Sequence, residues 1–259
     1  NYLIGVDGGT EGIRAGVFDT TGKPLAYASM NYQTNFPYPG WAEQDPRDWW
    51  KALSVSVRKA IQESGITAEQ VAAMAVDTTC CSVVALDDSG DPLRPALIWM
   101  DVRSANQAEQ VAACEDPALQ VNSNGKGPVS AEWMIPKALW LKQNEPEIFE
   151  KAVTICEYQD YLNFHLTGRL VSSINNVSTR WHFDFSEDKT GSKKSVPRSL
   201  LKKLELSDLE EKWPGEVTRL GEVIGGLTSE AAEHLGLPVG LQVVQGGADA
   251  QIGMIGLGV

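Results

Sequence analysis

The sequence predicts an α/β or mixed domain, and three observations predict it. Short apolar strands follow one another at the start of the chain. Helical and strand-like segments alternate after about residue 45, and neither an internal repeat nor a low-complexity linker divides the chain. With 259 residues, 42% hydrophobic and 22% charged, there is apolar material for a sizeable core, and the composition excludes disorder.

The elements follow in order. Tyr2–Val6 is an apolar strand ending at Asp7, and Ile13–Phe18 is a second ending at Asp19. Turn residues 20–23 lead into a third strand at Pro24–Ser29. Asp45 as N-cap and Pro46 in the first turn start a helix that presents Trp49, Leu53, Val57 and Ile61 on one face and stops near Gly65. Val71–Val76, Val83–Leu86 and Ala96–Trp99 read as strands. Beyond residue 102, Ala105, Ala108, Val111 and Ala112 have helical spacing. A glycine-rich break at Asn122–Gly127 precedes a helix over Ile135–Gln143. Val153–Cys156 reads as a buried strand, and Asp160 as the cap of a helix Tyr161–Thr167 that ends at Gly168. Residues 186–198 are polar and lysine-rich, which predicts an exposed excursion. Leu241–Val244 is a last strand before Gly246-Gly247-Ala248-Asp249.

Lys and Arg number 22 against 34 Asp and Glu, a net charge of −12 that disfavours nucleic acid and anionic membrane as partners. An anionic ligand is then held by local groups. The longest apolar runs fall far short of the ~20 residues of a membrane helix. No signal peptide precedes the first strand, and the chain starts at Asn1 without an initiator Met. Cys80, Cys81, Cys114 and Cys156 make no metal spacing and are expected as reduced thiols in the cytoplasm. The scattered His165, His182 and His234 offer no metal or nucleophile site.

Chemistry is therefore expected from carboxylates and glycine turns. Asp7-Gly8-Gly9-Thr10 lies between two strands and is followed by Arg14. A strand-end carboxylate suits Mg²⁺, glycines admit backbone N–H groups to phosphate, and Thr10 and Arg14 add donors. The same residues also suit an ordinary hairpin. Asp249 follows the last strand and is either a helix cap or a general base for a hydroxyl. Trp99, Asp101 and Arg103 are either a stacking and hydrogen-bonding wall for a polyol or a core Trp, a cap and a surface Arg.

Taken together, these residues resemble the FGGY carbohydrate kinases of the actin/hexokinase ATPase superfamily. Asp7–Thr10 with Arg14 and Asp19, Trp99-x-Asp101-x-Arg103 and Gly246–Asp249 occur in that family's order and spacing, over essentially the whole chain. Gly40-Trp-Ala-Glu-Gln-Asp-Pro46 and Glu157-Tyr-Gln-Asp-Tyr-Leu162 with Leu166-Thr-Gly168 also look like the family's connecting text. The resemblance implies a ribonuclease-H-like domain, a mixed sheet flanked by helices, over residues 1–259. It implies ATP and Mg²⁺ as co-substrate and cofactor. Asp7 would organise the metal, Gly8, Gly9, Thr10 and Arg14 would meet the phosphates, and Asp249 would be the base. Trp99, Asp101, Arg103, Cys80, Cys81, Glu132 and Arg180 would surround the sugar.

The Cys80-Cys81 pair departs from the Arg-Glu of glycerol kinases and the Met-His of xylulose kinases. Val76-Asp-Thr-Thr79 with Trp99-Met-Asp101 looks closer to the ribulokinase-like branch, so a ketopentose such as ribulose is the expected substrate, with xylulose or another polyol as the alternative. The family's second, adenosine-binding domain has no counterpart in these residues, and a homodimer is expected of the full-length form. The rival readings are a non-catalytic sugar-binding module and an actin-like or chaperone-like ATPase.

Overall fold

The computed structural model describes residues 1–121, 127–185 and 196–258. The chain opens as an antiparallel meander, β1 (Tyr2–Gly8), β2 (Gly12–Asp19) and β3 (Pro24–Asn31), in full register from Tyr2 opposite Asp19 to Gly8 opposite Ile13. After the short β4 (Glu43–Gln44), helix α1 (Pro46–Ser64) packs across β2 and β3. Asp45 accepts from the Arg47 N–H at its start, and Gly65 ends it at φ 72°, where a side chain would be strained. Trp49, Leu53 and Val57 are fully buried, as the spacing predicts, and Ile61 is half-buried against the same core.

β5 (Val71–Thr78) then returns parallel to β1. β6 (Val83–Leu86) and β7 (Ala96–Leu97) follow, the latter two residues shorter than the apolar run had predicted. Next come α2 (Ala105–Ala113), α3 (Met134–Asn144), α4 (Pro146–Lys151), β8 (Thr154–Glu157) and α5 (Tyr158–Thr167). α5 begins three residues earlier than expected: Asp160 is its third residue, not its cap. Its Oδ2 reaches back to accept from the Glu157 N–H at 2.9 Å, so Glu157 takes the capping position. β9 (Val171–Ser173), α6 (Ile174–Arg180), α7 (Arg198–Lys203), α8 (Leu209–Lys212), β10 (Glu216–Thr218), β11 (Val223–Gly226), α9 (Ser229–Leu235), β12 (Gln242–Ala248) and α10 (Asp249–Leu257) complete the chain. Of the two segments expected as a glycine-rich break and a lysine-rich excursion, residues 122–126 and 186–195 lie outside the described residues. Val196 and Pro197, counted in that excursion, are buried, Val196 against the second core.

The principal sheet has the order β11-β12-β5-β1-β2-β3, and its middle strands β12, β5 and β1 run parallel. Parallel neighbours end at the same sheet edge. Asp7 stands opposite Asp77, and Thr78 stands opposite both Gly8 and Ala248. The fold therefore delivers three strand ends, each carrying or followed by an aspartate, to one place. Two cores support it, one around Ile13, Trp49, Leu53 and Tyr158 under the principal sheet. The other, around Val83, Ile135, Leu139, Phe149 and Trp181, lies under the four-stranded sheet β4-β7-β6-β8. No helix among the described residues is long and apolar enough to cross a membrane.

Candidate active site

Two cavities open at that edge. The larger, about 570 Å³, is lined by Asp7, Thr10, Arg14, Asp77 and Asp249 among others. The smaller, about 260 Å³, is lined by Thr79, Cys80, Cys81, Trp99, Glu132 and Arg180. Thr10 and Asp249 line both. One carboxylate and one hydroxyl thus stand at the junction between an acidic cleft and a chamber sized for a small metabolite.

The cleft is electrostatically unbalanced. Arg14 donates to Asp7 Oδ2 at 2.6 Å across the β1–β2 pair. Among the described residues no cation pairs with Asp77; burial, then the charges of Asp7 and Asp249, push its carboxyl up to about 7. Burial, with the charge of Asp7, also raises the Asp249 carboxyl, against the lowering effect of the Ala250 N–H that it accepts at 2.7 Å. Asp77 lay inside a segment quoted for its resemblance, yet sequence reasoning did not single it out. A three-strand parallel register is what brings it beside Asp7, and that register is invisible in one strand's pattern.

The glycines serve packing more than ligand access. Gly8 is buried and does not line the cleft; a Cβ there would stand 3.0 Å from both Thr78 Cγ2 and Tyr158 Oη. The Gly9 N–H is already donated to the Gly12 carbonyl at 3.1 Å, and its own carbonyl accepts from Tyr32. Gly9 lines the cleft and Gly8 does not, so the expectation that both glycines meet phosphate is corrected for Gly8. Thr10 and Arg14 are the donors that face the cavity. Gly246 is required for a similar reason, since a Cβ would overlap the Val76 carbonyl of the adjoining strand. The strand end before Asp249 is pinned by Asn175, whose Oδ1 accepts from the Ala248 N–H at 2.9 Å.

In the smaller cavity Trp99 is 37% exposed and donates its Nε1–H to Thr10 Oγ1 at 2.9 Å, tying the chamber wall to the loop between β1 and β2. Arg180 ends α6 with its guanidinium 5.4 Å from the Trp133 ring. Behind the wall sit buried charges that no local pattern announced. Lys137 Nζ donates to the carbonyls of Cys81 and Ile98, each at 2.7 Å, and burial pulls it down to about 8. Glu157 accepts from the Cys81 N–H at 3.1 Å, Asn176 at 3.1 Å and Trp181 at 2.6 Å. Together they hold the Cys80–Cys81 turn and the approach to Trp99 and Arg180.

Asp101 and Arg103 do not line either cavity. Both side chains are 0% exposed, and they pair with each other at 2.7 Å. Asp101 also accepts from the Ala42 N–H at 2.6 Å, while Arg103 reaches Glu43 at 2.8 Å and lies 3.7 Å from the Trp41 ring. The expectation of sugar contact gives way to a buried clamp between the β4 approach and the segment after Trp99.

Residues 2–256 match the family model for the FGGY family of carbohydrate kinases, N-terminal domain. The chain belongs to the FGGY family of carbohydrate kinases. It is 30% identical over 262 residues to autoinducer-2 kinase from Salmonella choleraesuis, a match covering 100% of this chain and 48% of that protein. It is 32% identical over 273 residues to the human FGGY carbohydrate kinase domain-containing protein, with 100% of this chain and 47% of that one covered. Among solved structures, xylulose kinase from Rhodospirillum rubrum aligns with a TM-score of 0.83 at 28% identity over 96% of this FGGY chain and 49% of that chain. Glycerol kinase from Plasmodium falciparum with ADP gives 0.80 at 18% identity over 100% of this chain and 50% of that chain, a likeness of fold. The FGGY chain thus spans about half the length of the relatives it matches, and its mixed sheet is the ribonuclease-H-like sheet of the actin/hexokinase superfamily.

Proposed function

We propose that the FGGY chain is the sugar-side half of an ATP-dependent kinase acting on a hydroxyl of a small sugar or polyol, a ketopentose such as ribulose. The observation that carries this reading is the sharing of Asp249 and Thr10 by two unlike cavities. One is acidic and open; the other is walled by an indole, thiols, an arginine and, besides Asp249, one further acid, Glu132. A hydroxyl in the smaller chamber directed at Asp249 has its proton acceptor at the mouth of the larger one. Burial raises the Asp249 carboxyl, which strengthens it as a base.

The acidic cleft fits a magnesium–triphosphate. Asp7 and Asp77 are register neighbours that line the cleft, and Arg14 pairs with Asp7; the remaining excess of negative charge is one that a divalent ion would relieve. No three His, Cys, Asp or Glu side chains form a ready metal cage among the described residues. That suits Mg²⁺, which is commonly held by one or two carboxylates with water and phosphate completing its shell. When bound, MgATP supplies the phosphoryl group and screens its charge. The chain's own residues orient: Thr10 offers its hydroxyl proton while accepting from Trp99, Arg14 flanks the cleft, and Trp99 covers one face of the guest. Catalysis of this kind is largely positioning and charge stabilisation.

The test is Asp249→Asn in the full-length enzyme. Sugar affinity, read by isothermal titration, should be retained, while kcat falls by about 10²–10⁴-fold. Unchanged turnover removes the base assignment. A panel of ribulose, xylulose, ribitol, glycerol and autoinducer-2, the two kinase names among the relatives being included, ranks the substrates by kcat/KM.

A further inference from the structure

The adjacent thiols in the smaller cavity do more than wall it. Cys80 lines the chamber and is partly exposed; Cys81, beside it, is 2% exposed and directs its S–H at the Cys80 sulfur across 3.8 Å. Cys81 takes φ 66°, a left-handed backbone uncommon for a side chain with a Cβ. The turn is held there from both sides by the Glu157 carboxylate on the Cys81 N–H and the Lys137 ammonium on its carbonyl. A strained turn that keeps two sulfurs within van der Waals contact, one open to solvent and one shielded, is the arrangement of an attacking and a resolving thiol.

We propose that Cys80 and Cys81 form an oxidation-sensitive dithiol, in which a hydroperoxide is reduced at Cys80 and Cys81 closes a disulfide that alters the smaller cavity. In the first step the Cys80 thiolate attacks one peroxide oxygen. An S–O bond forms, the O–O bond breaks, and the departing alkoxide or hydroxide leaves with a proton as alcohol or water. Cys80 sulfur has then lost two electrons to the peroxide and is a sulfenic acid. In the second step Cys81 sulfur attacks Cys80 sulfur: the S–S bond forms, the S–O bond breaks, and hydroxide takes up the Cys81 proton as water. The sum is a dithiol and a hydroperoxide giving a disulfide, an alcohol or water, and one further water.

The surroundings favour the first step at Cys80 over the other cysteines. The hydrogen bond from Cys81, then the positive charge of Arg180, lower the Cys80 thiol, whereas burial raises Cys114 and Cys156. The disulfide would also be readily reversed. Neighbouring Cα atoms are ~3.8 Å apart, short of the ~4.4–6.8 Å of relaxed bridges, so the product stores strain and yields to thiols. Only the consequence for sugar binding rests on the functional reading above; the chemistry of the pair does not.

The experiment uses the full-length protein with graded hydrogen peroxide, followed by alkylation and peptide mass analysis. The expected result is loss of two hydrogens across the peptide carrying Cys80 and Cys81, complete before the partly exposed Cys114 is oxidised, and fully reversed by dithiothreitol. Cys81→Ser should instead stop at a dimedone-reactive sulfenic acid on residue 80. Cys80→Ser should leave Cys81 unoxidised at the same dose. Oxidation of Cys114 first, or irreversible overoxidation of Cys80 without a bridge in the unsubstituted protein, would overturn the proposal. Ribulose titration of the oxidised form then reads the consequence separately. Bridge formation with unaltered sugar affinity would leave the redox pair standing and displace the sugar from this chamber.

Discussion

The acids of the cleft and the acids behind the wall of the smaller cavity are of the same residue types and lie in neighbouring parts of one fold, yet their physical situations differ. Asp77 and Asp249 face a cavity and make no ion pair among the described residues, and burial with neighbouring aspartate charge drives their carboxyls upward. Asp101 and Glu157 are fully buried and surrounded by donors: an arginine fork and two backbone amides for one; for the other an indole, an amide side chain and a backbone N–H, which oppose the upward push of burial on Glu157. Unmet charge beside a cavity is available for a ligand or a proton. Satisfied charge under a wall fixes geometry. A carboxylate's place in a motif does not separate the two; its partners do.

The largest test of this contrast pairs Asp249→Asn with Arg103→Met. The first should cost orders of magnitude in turnover and leave the melting temperature unchanged or slightly raised, because a destabilised carboxyl has been neutralised. The second leaves Asp101 buried without its fork. Its expected cost is about 3–5 kcal/mol in urea unfolding, with kcat of the folded fraction nearly intact. If Arg103→Met abolished turnover without loss of stability, the buried clamp would have to be redrawn as part of the site.

A smaller effect concerns His182, which lines neither cavity. It is 1% exposed, packs edge-on to Trp133, and burial pushes it down to about 4 from its ordinary 6.5. The unfolded chain therefore binds the proton first as pH falls, and stability is lost between about pH 6.5 and pH 4. His182→Gln should flatten that part of the stability curve, by about 2 kcal/mol at its low end. An unchanged slope would mean that the ring finds a proton partner on acidification.

The smallest expected effect is at the seam between the two cavities. Trp99→Phe keeps an aromatic face but removes the Nε1–H bond to Thr10, a neutral hydrogen bond worth about 0.5–1.5 kcal/mol. A few-fold rise in KM for both sugar and ATP is expected. A rise confined to the sugar would mean that the bond does not couple the two sides.

Much of the fold was legible in the chain. The opening strands, the Asp45–Gly65 helix with its buried face and the strand before Asp249 follow from periodicity and capping residues, which act within a few residues of themselves. The site was legible in part. Asp7, Thr10, Trp99 and Asp249 stand at strand ends or just beyond them, where a sequence pattern marks a break, and the structure gathers them around one seam. Asp77 has the same penultimate place in its strand as Asp7 and was missed because no glycine turn follows it, and Lys137 and Glu157 because their helix and strand read as ordinary apolar segments. Asp101 and Arg103 were misplaced because an acid and a base two residues apart look the same whether they meet a ligand or each other.

The sequence by itself determined the local pieces: which stretches pleat, which coil, where each begins, and which carboxylates fall near a strand end. Those choices depend on side-chain periodicity and on backbone groups close in the chain. Tertiary structure alone decided that β12, β5 and β1 run parallel, so that residues 7, 77 and 249 converge across wide separations in the chain. It also decided which charges were neutralised by burial partners and which were left facing a cavity, since solvation and Coulomb energy depend on distance in space rather than distance along the chain.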